Sequence, residues 1–264
     1  MKLAEKTFLF ILILALLLLL GCFGYKLMAT NSEYNAAACE EIDITTIARG
    51  EQQEEFKLTG ADQKHGSSEN QFEGETDLFQ IDFEKLQEIN PDVKGWLIIP
   101  AADVDHVVVQ GTDNEYYVHR NLYEEYQYSG TIFIDHRWTE EKSRNLLIYG
   151  HNMSNDTMLG QLECYLDPEV CNEFPYFWYV TPDEVYRCDL VSVYITDIYD
   201  NYTQTDFLAE TDFLEFLDQI IYKSYYNFGL RPSAEDKLFS ISTCYMVGSD
   251  QRLSIHAVMR KYLD

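Results

Sequence analysis

From Trp96 onward the chain is a succession of short runs rich in β-branched and aromatic residues, each bounded by turn-forming residues. They are Trp96 to Ile99, Val104 to Gln110, Thr131 to Ile134, Leu146 to Tyr149, Val185 to Thr196, Leu238 to Thr243 and Leu253 to Met259. Runs of this length and make-up read as strands. Their spacing leaves no regular alternation of strand and helix, which points to a mainly β fold closed, or nearly closed, into a barrel. Helical stretches stand out around them. Leu78, Phe79, Ile81, Phe83, Leu86 and Ile89 share one broad helical face that Asn90-Pro91 ends. Met158 to Leu166 is a second helix, and Thr211 to Lys223 a third, with Phe213, Leu214, Phe216, Leu217, Ile220 and Ile221 making its apolar face. The third separates two strands by a long excursion, and such an excursion is more often functional than decorative.

The amino terminus carries a different signal. After Met1-Lys2-Leu3-Ala4-Glu5-Lys6 an apolar run extends from Thr7 to Tyr25 with no charge before Lys26. That is long enough to cross a hydrocarbon core as a helix. Lysines precede it, so the positive-inside bias sets residues 1–6 in the cytoplasm and the rest outside. The expected organisation is a cytoplasmic end (1–6), a single-pass signal anchor in the cell membrane (7–25), a polar extracytoplasmic linker rich in Glu, Gln, Ser and Asn (26–76) and a folded domain (77–264). A competing reading is a processed signal peptide, because Leu19-Leu20-Gly21-Cys22 resembles a lipoprotein cleavage site at which Cys22 would be lipidated. Either version tethers the domain outside the cell.

A formal net charge of −26 excludes a nucleic-acid binder that works by neutralising phosphates, and equally a polybasic membrane-surface anchor. Six cysteines in an extracytoplasmic chain raise the question of bridges. Cys22 lies in the apolar segment and Cys39 in the linker, while Cys164, Cys171 and Cys188 show no metal-type spacing and leave a bridge between two of them open. His106, His119, His136 and His256 also lack ligand spacing, so no zinc site is assigned; no resident metal or cofactor is expected, although the abundant carboxylates leave weak calcium binding open.

Ile241-Ser242-Thr243-Cys244 places a cysteine at the end of an apolar run, and Arg252 follows eight residues later. Far upstream, Asn145-Leu146-Leu147-Ile148-Tyr149-Gly150 ends on His151. A thiol, an imidazole and a guanidinium at strand ends are the parts of an acyl-transfer site: nucleophile, proton shuttle and fixed positive charge. Singly each is ambiguous, since a cysteine is often a small buried hydrophobe. The combination carries the reading. An ordinary cysteine is mostly protonated at neutral pH, so Arg252, with His151 in its charged form, is expected to offset the negative field of this acidic chain at Cys244.

The residues around these three resemble the sortases, and among them class B. The likeness rests on Tyr149-Gly150-His151-Asn152-Met153, on Ser242-Thr243-Cys244, and on Arg252 followed by Leu253-Ser254-Ile255-His256-Ala257-Val258. It extends to Asn90-Pro91-Asp92-Val93-Lys94-Gly95-Trp96, Val107-Val108-Val109-Gln110-Gly111, Asn114-Glu115-Tyr116-Tyr117 and Gly130-Thr131-Ile132-Phe133-Ile134-Asp135. These segments run in order from about Asp77 to the end of the chain. The resemblance implies a sortase-like closed β-barrel of about eight strands with an N-terminal helix. Thr211 to Lys223 looks like the helical insertion that class B enzymes carry between their sixth and seventh strands.

The same resemblance implies a cysteine transpeptidase without a cofactor. Cys244 would attack the threonine carbonyl of a cell-wall sorting signal, of NPxTN or NPxTG type, on a surface protein. His151 would protonate the departing amine and then deprotonate the acceptor, an amine of the peptidoglycan cross-bridge or its precursor. Arg252 would hold the carbonyl oxygen or the developing oxyanion. A pilin lysine or water as acceptor are alternatives, and a tethered receptor that binds peptide without cleaving it is the reading from another class. Asn114 and Val118, with Tyr202 and Thr203, align with positions that line the substrate groove in class B enzymes, and Ser242 and Tyr245 flank the nucleophile. Tyr245 departs from the polar or acidic residue frequent there, which bears on the exact sorting signal. Asn152-Met153-Ser154 matches a glycosylation acceptor, but a glycan beside His151 would block that groove.

Overall fold

The computed structural model describes residues 2–50, 78–245 and 250–262. The chain divides into two compact units, Met1–Glu40 and Glu41–Asp264. The first is the greater part of one long helix, α1 (Lys2–Arg49). Its Ala15–Ser32 stretch is long and apolar enough to cross a membrane, and Leu16, Leu17, Leu18, Leu19, Leu20 and Phe23 expose their side chains.

The polar stretch after the apolar run is helical as far as Arg49, although its sequence shows no sustained periodicity. The reason lies in the second unit, where the final turns of α1 pack on the barrel. Ile44 and Ala48 are buried in one cluster with Trp96 and Trp178, and Ile47 packs against it. Arg49 closes the contact, its Nε and Nη2 donating to the two oxygens of Asp105 at 3.0 and 2.6 Å and its Nη1 to the Leu78 carbonyl at 2.7 Å. A stripe of three apolar residues is too short to register as an amphipathic pattern, yet it suffices when a hydrophobic face receives it. The rest of the stretch read as a linker, from residue 51 on, lies outside the described residues.

The second unit is the expected closed barrel. Its strands are β1 (Val93–Ile99), β2 (Val104–Val109), β3 (Ile132–Ile134), β4 (Asn145–Tyr149), β5 (Tyr176–Val180), β6 (Val185–Asp197), β7 (Lys237–Cys244) and β8 (Gln251–Lys261), in the order β1-β2-β3-β4-β7-β8-β6-β5 around the wall. The β2–β3 and β4–β7 pairs are parallel. Closure pairs every strand on both sides and removes exposed edges. The run that forms β5, Tyr176-Phe177-Trp178-Tyr179-Val180, is the strand the pattern reading passes over, although Pro175 and Pro182 bracket it and its aromatics are strand formers.

Helix α2 (Phe83–Ile89) is shorter than its apolar face suggests, because Asp82 caps it by accepting from the Lys85 amide. Gly160–Leu166 is a 3-10 helix rather than an α-helix, and Asp167 with Pro168 then starts α3 (Pro168–Glu173). Helix α4 (Glu210–Lys223) stands between β6 and β7, where the insertion was expected. It buries Phe213, Phe216, Leu217 and Ile220 against Val191, Tyr194, Leu238 and Val258, in a cluster that also holds Tyr202. Cys164, Cys171 and Cys188 carry free thiols, and burial pushes the first two up to a pKa of about 11.

Candidate active site

Strand pairing brings the three expected catalytic residues to one end of the barrel. The parallel β4–β7 register sets Tyr149 opposite Ser242, so that Gly150-His151, just past β4, run beside Thr243-Cys244 at the end of β7. The antiparallel β7–β8 register sets Cys244 opposite Arg252. Two side chains then staple the exits together. Thr243 Oγ1 donates to the Gly150 carbonyl at 2.9 Å, and Asn152 Nδ2 donates to the Cys244 carbonyl and to Glu163 Oε1, each at 2.9 Å. Asn152 therefore braces the two exits against each other. The crossing is closely packed: a Cβ on Gly150 would stand 2.8 Å from Leu159 Cδ1 and displace that side chain.

His151 is oriented from the opposite wall. Its Nε2 lies 2.9 Å from the Val118 carbonyl, and a carbonyl can only accept, so the neutral ring carries its proton on Nε2 and leaves Nδ1 as the basic nitrogen. Burial lowers its pKa, the Val118 carbonyl opposes that shift, and the neighbouring His119 adds to it. The ring stacks on His119 (centroids 5.3 Å apart, 20°) and on Tyr128 (5.9 Å, 14°).

These residues border a cleft of about 250 Å³ that Asn114, Val118, Tyr202 and Ser242 also line, together with Phe133 and Tyr149. Tyr202 is buried and shares a hydrogen bond of 3.2 Å with Ser242 Oγ. Thr203 and Tyr245 stand outside the cleft lining. The Thr203 carbonyl accepts from Arg137 Nη2 at 3.0 Å, and the Tyr245 amide donates to the Gln251 carbonyl at 3.0 Å beside Cys244.

One residue that the sequence offers only as the end of the Gly130–Asp135 segment, with no site role, organises the far wall. The Asp135 carboxylate is fully buried and accepts from Arg137 Nε and Nη2 (2.8 Å each), Asn114 Nδ2 (3.0 Å) and the Tyr149 hydroxyl (3.0 Å). Burial alone would raise its pKa, but the bonds from Arg137 and Asn114 outweigh it and hold the group below the ordinary carboxylate value. Both cleft-lining residues, Asn114 and Tyr149, thus hang on one charge. The arrangement offers a thiol, an imidazole with one free nitrogen and a guanidinium around an open groove, which is what acyl transfer through a thioester demands.

No protein-family model matches the chain. Its sequence is 36% identical over 162 residues to Sortase B of Listeria monocytogenes, a match that spans 60% of this chain and 65% of that protein. It is 28% identical over 242 residues to Sortase B of Staphylococcus aureus, covering 90% of both. Among solved structures, sortase B from Bacillus anthracis in complex with AAEK1 is similar with a TM-score of 0.63 and 34% identity over 68% of this chain and 84% of that one. The Staphylococcus aureus sortase B–substrate complex gives 0.64 and 30% over the same shares. Clostridium perfringens sortase B gives 0.65 and 28%, over 68% of this chain and all of that one. With barrel, insertion helix and cleft in place and more than four-fifths of the Bacillus anthracis structure covered at this identity, the chain belongs to the class B sortases, a family of cysteine transpeptidases.

Proposed function

We propose that this protein is a membrane-anchored transpeptidase that cleaves a sorting signal after threonine and passes the acyl group to an amine of peptidoglycan or its precursor. The observation that carries the reading is the pairing of Cys244 with Arg252 across β7 and β8 at the mouth of the cleft that His151 enters. The cleft lining of Asn114, Val118, Tyr202 and Ser242 supports a peptide substrate, and a relative of 30% identity has been solved as a substrate complex. The exposed apolar side of α1 supports a membrane anchor, with residues 1–6 cytoplasmic and the barrel outside.

In the first half-reaction the Cys244 thiolate attacks the threonine carbonyl, Arg252 carries the negative charge that gathers on oxygen, and the C–N bond breaks as protonated His151 gives its Nδ1 proton to the leaving amine. In the second, an amine attacks the thioester carbon and the C–S bond breaks. Neutral His151 takes the amine's proton at Nδ1, restoring thiolate and imidazolium. Because Nε2 stays bonded to Val118, the ring can exchange its Nδ1 proton without reorienting.

The test is full-length protein in detergent micelles with fluorogenic peptides of NPxTN, NPxTG and LPxTG types, with and without triglycine. Cleavage that disappears in Cys244→Ala, with triglycine conjugated to the amino-terminal fragment, is the expected result. Peptide capture without cleavage, or cleavage that survives Cys244→Ala, overturns it.

A further inference from the structure

The side of the cleft that faces His151 carries a feature that peptide cleavage does not use. The loop from the 3-10 turn Tyr116–His119 to β3 exposes Tyr126 and Tyr128, at 72% and 45% of their surface. Large aromatics left in water on a tightly built loop call for a reason. This loop is tightly built. Arg120 pairs with Tyr126 in a β-bridge, the Asn121 amide donates to the Glu125 carbonyl at 3.0 Å, the Glu125 amide donates to Asn121 Oδ1 at 2.8 Å, and the Gln127 amide donates to the His119 carbonyl at 3.1 Å.

The rings connect. Tyr126 leans on His119 (6.0 Å, 39°), His119 stacks on Tyr128 (5.5 Å, 23°), and both His119 and Tyr128 stack on His151. The result is a continuous aromatic surface from solvent to the imidazole. The charge of the loop is negative: Glu124 and Glu125 immediately precede Tyr126 and are exposed. Arg120 is engaged on the Tyr116 ring (4.7 Å) and donates to the Glu124 carbonyl at 3.1 Å.

We propose that this platform is the acceptor subsite, which receives the second substrate as a primary ammonium and delivers it to the His151 side of the thioacyl-enzyme. Tyrosine faces beside carboxylates attract an ammonium, and the acidity of the whole chain adds long-range attraction for cations. The held ammonium loses one proton to water, the free amine attacks the thioester carbon, and the C–N bond forms as the C–S bond breaks. The second proton passes to Nδ1 of His151 and Cys244 leaves as thiolate. The inference rests on the transpeptidase reading and adds to it where the nucleophile waits and what charge it bears.

The experiment measures the partition of the acyl-enzyme, the ratio of triglycine conjugate to hydrolysed product, in full-length protein. A ratio within one turnover is independent of how fast acylation occurs. Tyr126→Ser is expected to lower it at least fivefold at subsaturating triglycine, Tyr126→Phe to restore it, and Tyr222→Ala, on an exposed position of α4, to leave it unchanged. Tetramethylammonium chloride, which can occupy the platform and cannot attack, is expected to lower the ratio in the unaltered protein more than sodium chloride at equal ionic strength. An unchanged ratio in Tyr126→Ser, or identical effects of the two salts, overturns the acceptor assignment while leaving the transpeptidase reading intact. Absence of any Cys244-dependent cleavage overturns the transpeptidase reading, and the assignment with it.

Discussion

His151 and Val118 are joined by a bond of 2.9 Å from an imidazole nitrogen to a backbone carbonyl, and a glycine on a third segment fixes where that carbonyl stands. Gly130 adopts φ +58°, and a Cβ on it would collide with the carbonyl oxygens of Tyr117 and Val118. Gly130→Ala therefore strains the backbone and displaces the oxygen that orients the ring. The expected outcome is a fall in kcat for peptide cleavage of about 10–100-fold, with a smaller change in KM, in a protein that still unfolds cooperatively. Steady-state kinetics beside a melting curve check it, and an unaltered kcat in the folded variant would refute the role of the carbonyl.

The pH dependence of His151 follows from its surroundings. Burial disfavours the imidazolium, so the neutral ring that accepts a proton persists to lower pH than an ordinary histidine of pKa 6.5. Hydrolysis of a preformed thioacyl-enzyme, in which the acceptor does not titrate, should lose rate on an acid limb that lies below 6.5. Tyr128→Ala admits water to one face of the ring and should move that limb upward. Single-turnover rates across pH 4–8 in both proteins decide the matter; a limb that stays put on removal of Tyr128 argues against desolvation as the cause.

Asp135 makes a prediction that separates binding from chemistry. Asp135→Asn leaves Arg137 without its carboxylate and loosens Asn114 and Tyr149 on the cleft wall, while Cys244, Arg252 and the Val118 bond stay in place. KM for the sorting peptide should rise more than kcat falls, and stability at neutral pH should drop by on the order of 2–4 kcal/mol. The sign with pH is also set. Because the folded carboxyl titrates below its unfolded value, its contribution is present above about pH 4 and is lost as the pH falls. Denaturant melts at pH 7 and pH 3 should therefore differ less for the Asn variant than for the unaltered protein.

How much of this could be read from the chain depends on whether the signal was local. Strands whose apolar residues cluster, such as Leu146 to Tyr149 and Leu238 to Thr243, declare themselves, and with them the strand ends that carry His151 and Cys244. Asp135 is one of 45 acidic residues and shows in the sequence only as the last residue of the Gly130–Asp135 segment, because its role comes from Arg137, Asn114 and Tyr149 converging on it in space. The stack of His119, Tyr128 and His151 joins three separated positions and is equally invisible. Thr203 and Tyr202 are adjacent in sequence, and of the two it is Tyr202 that lines the cleft.

The end of α1 bears on how the domain should be handled. Arg49, with a side chain only 4% exposed, holds Asp105 in a two-bond grip, and Trp96 Nε1 donates to the same carboxylate at 2.5 Å. A protein that begins at Asp77 lacks Ile44, Ala48 and Arg49, and so uncovers the barrel face around Trp96 and Trp178. Loss of this packing and ion pair should cost about 3 kcal/mol, or roughly 6–12 °C in Tm for a domain of this size, relative to a protein that begins at Glu41. A double-mutant cycle of Arg49→Ala with Asp105→Ala should return a coupling of about 1–3 kcal/mol. If the two truncations melt together and the cycle shows no coupling, the helix end lies on the barrel without stabilising it.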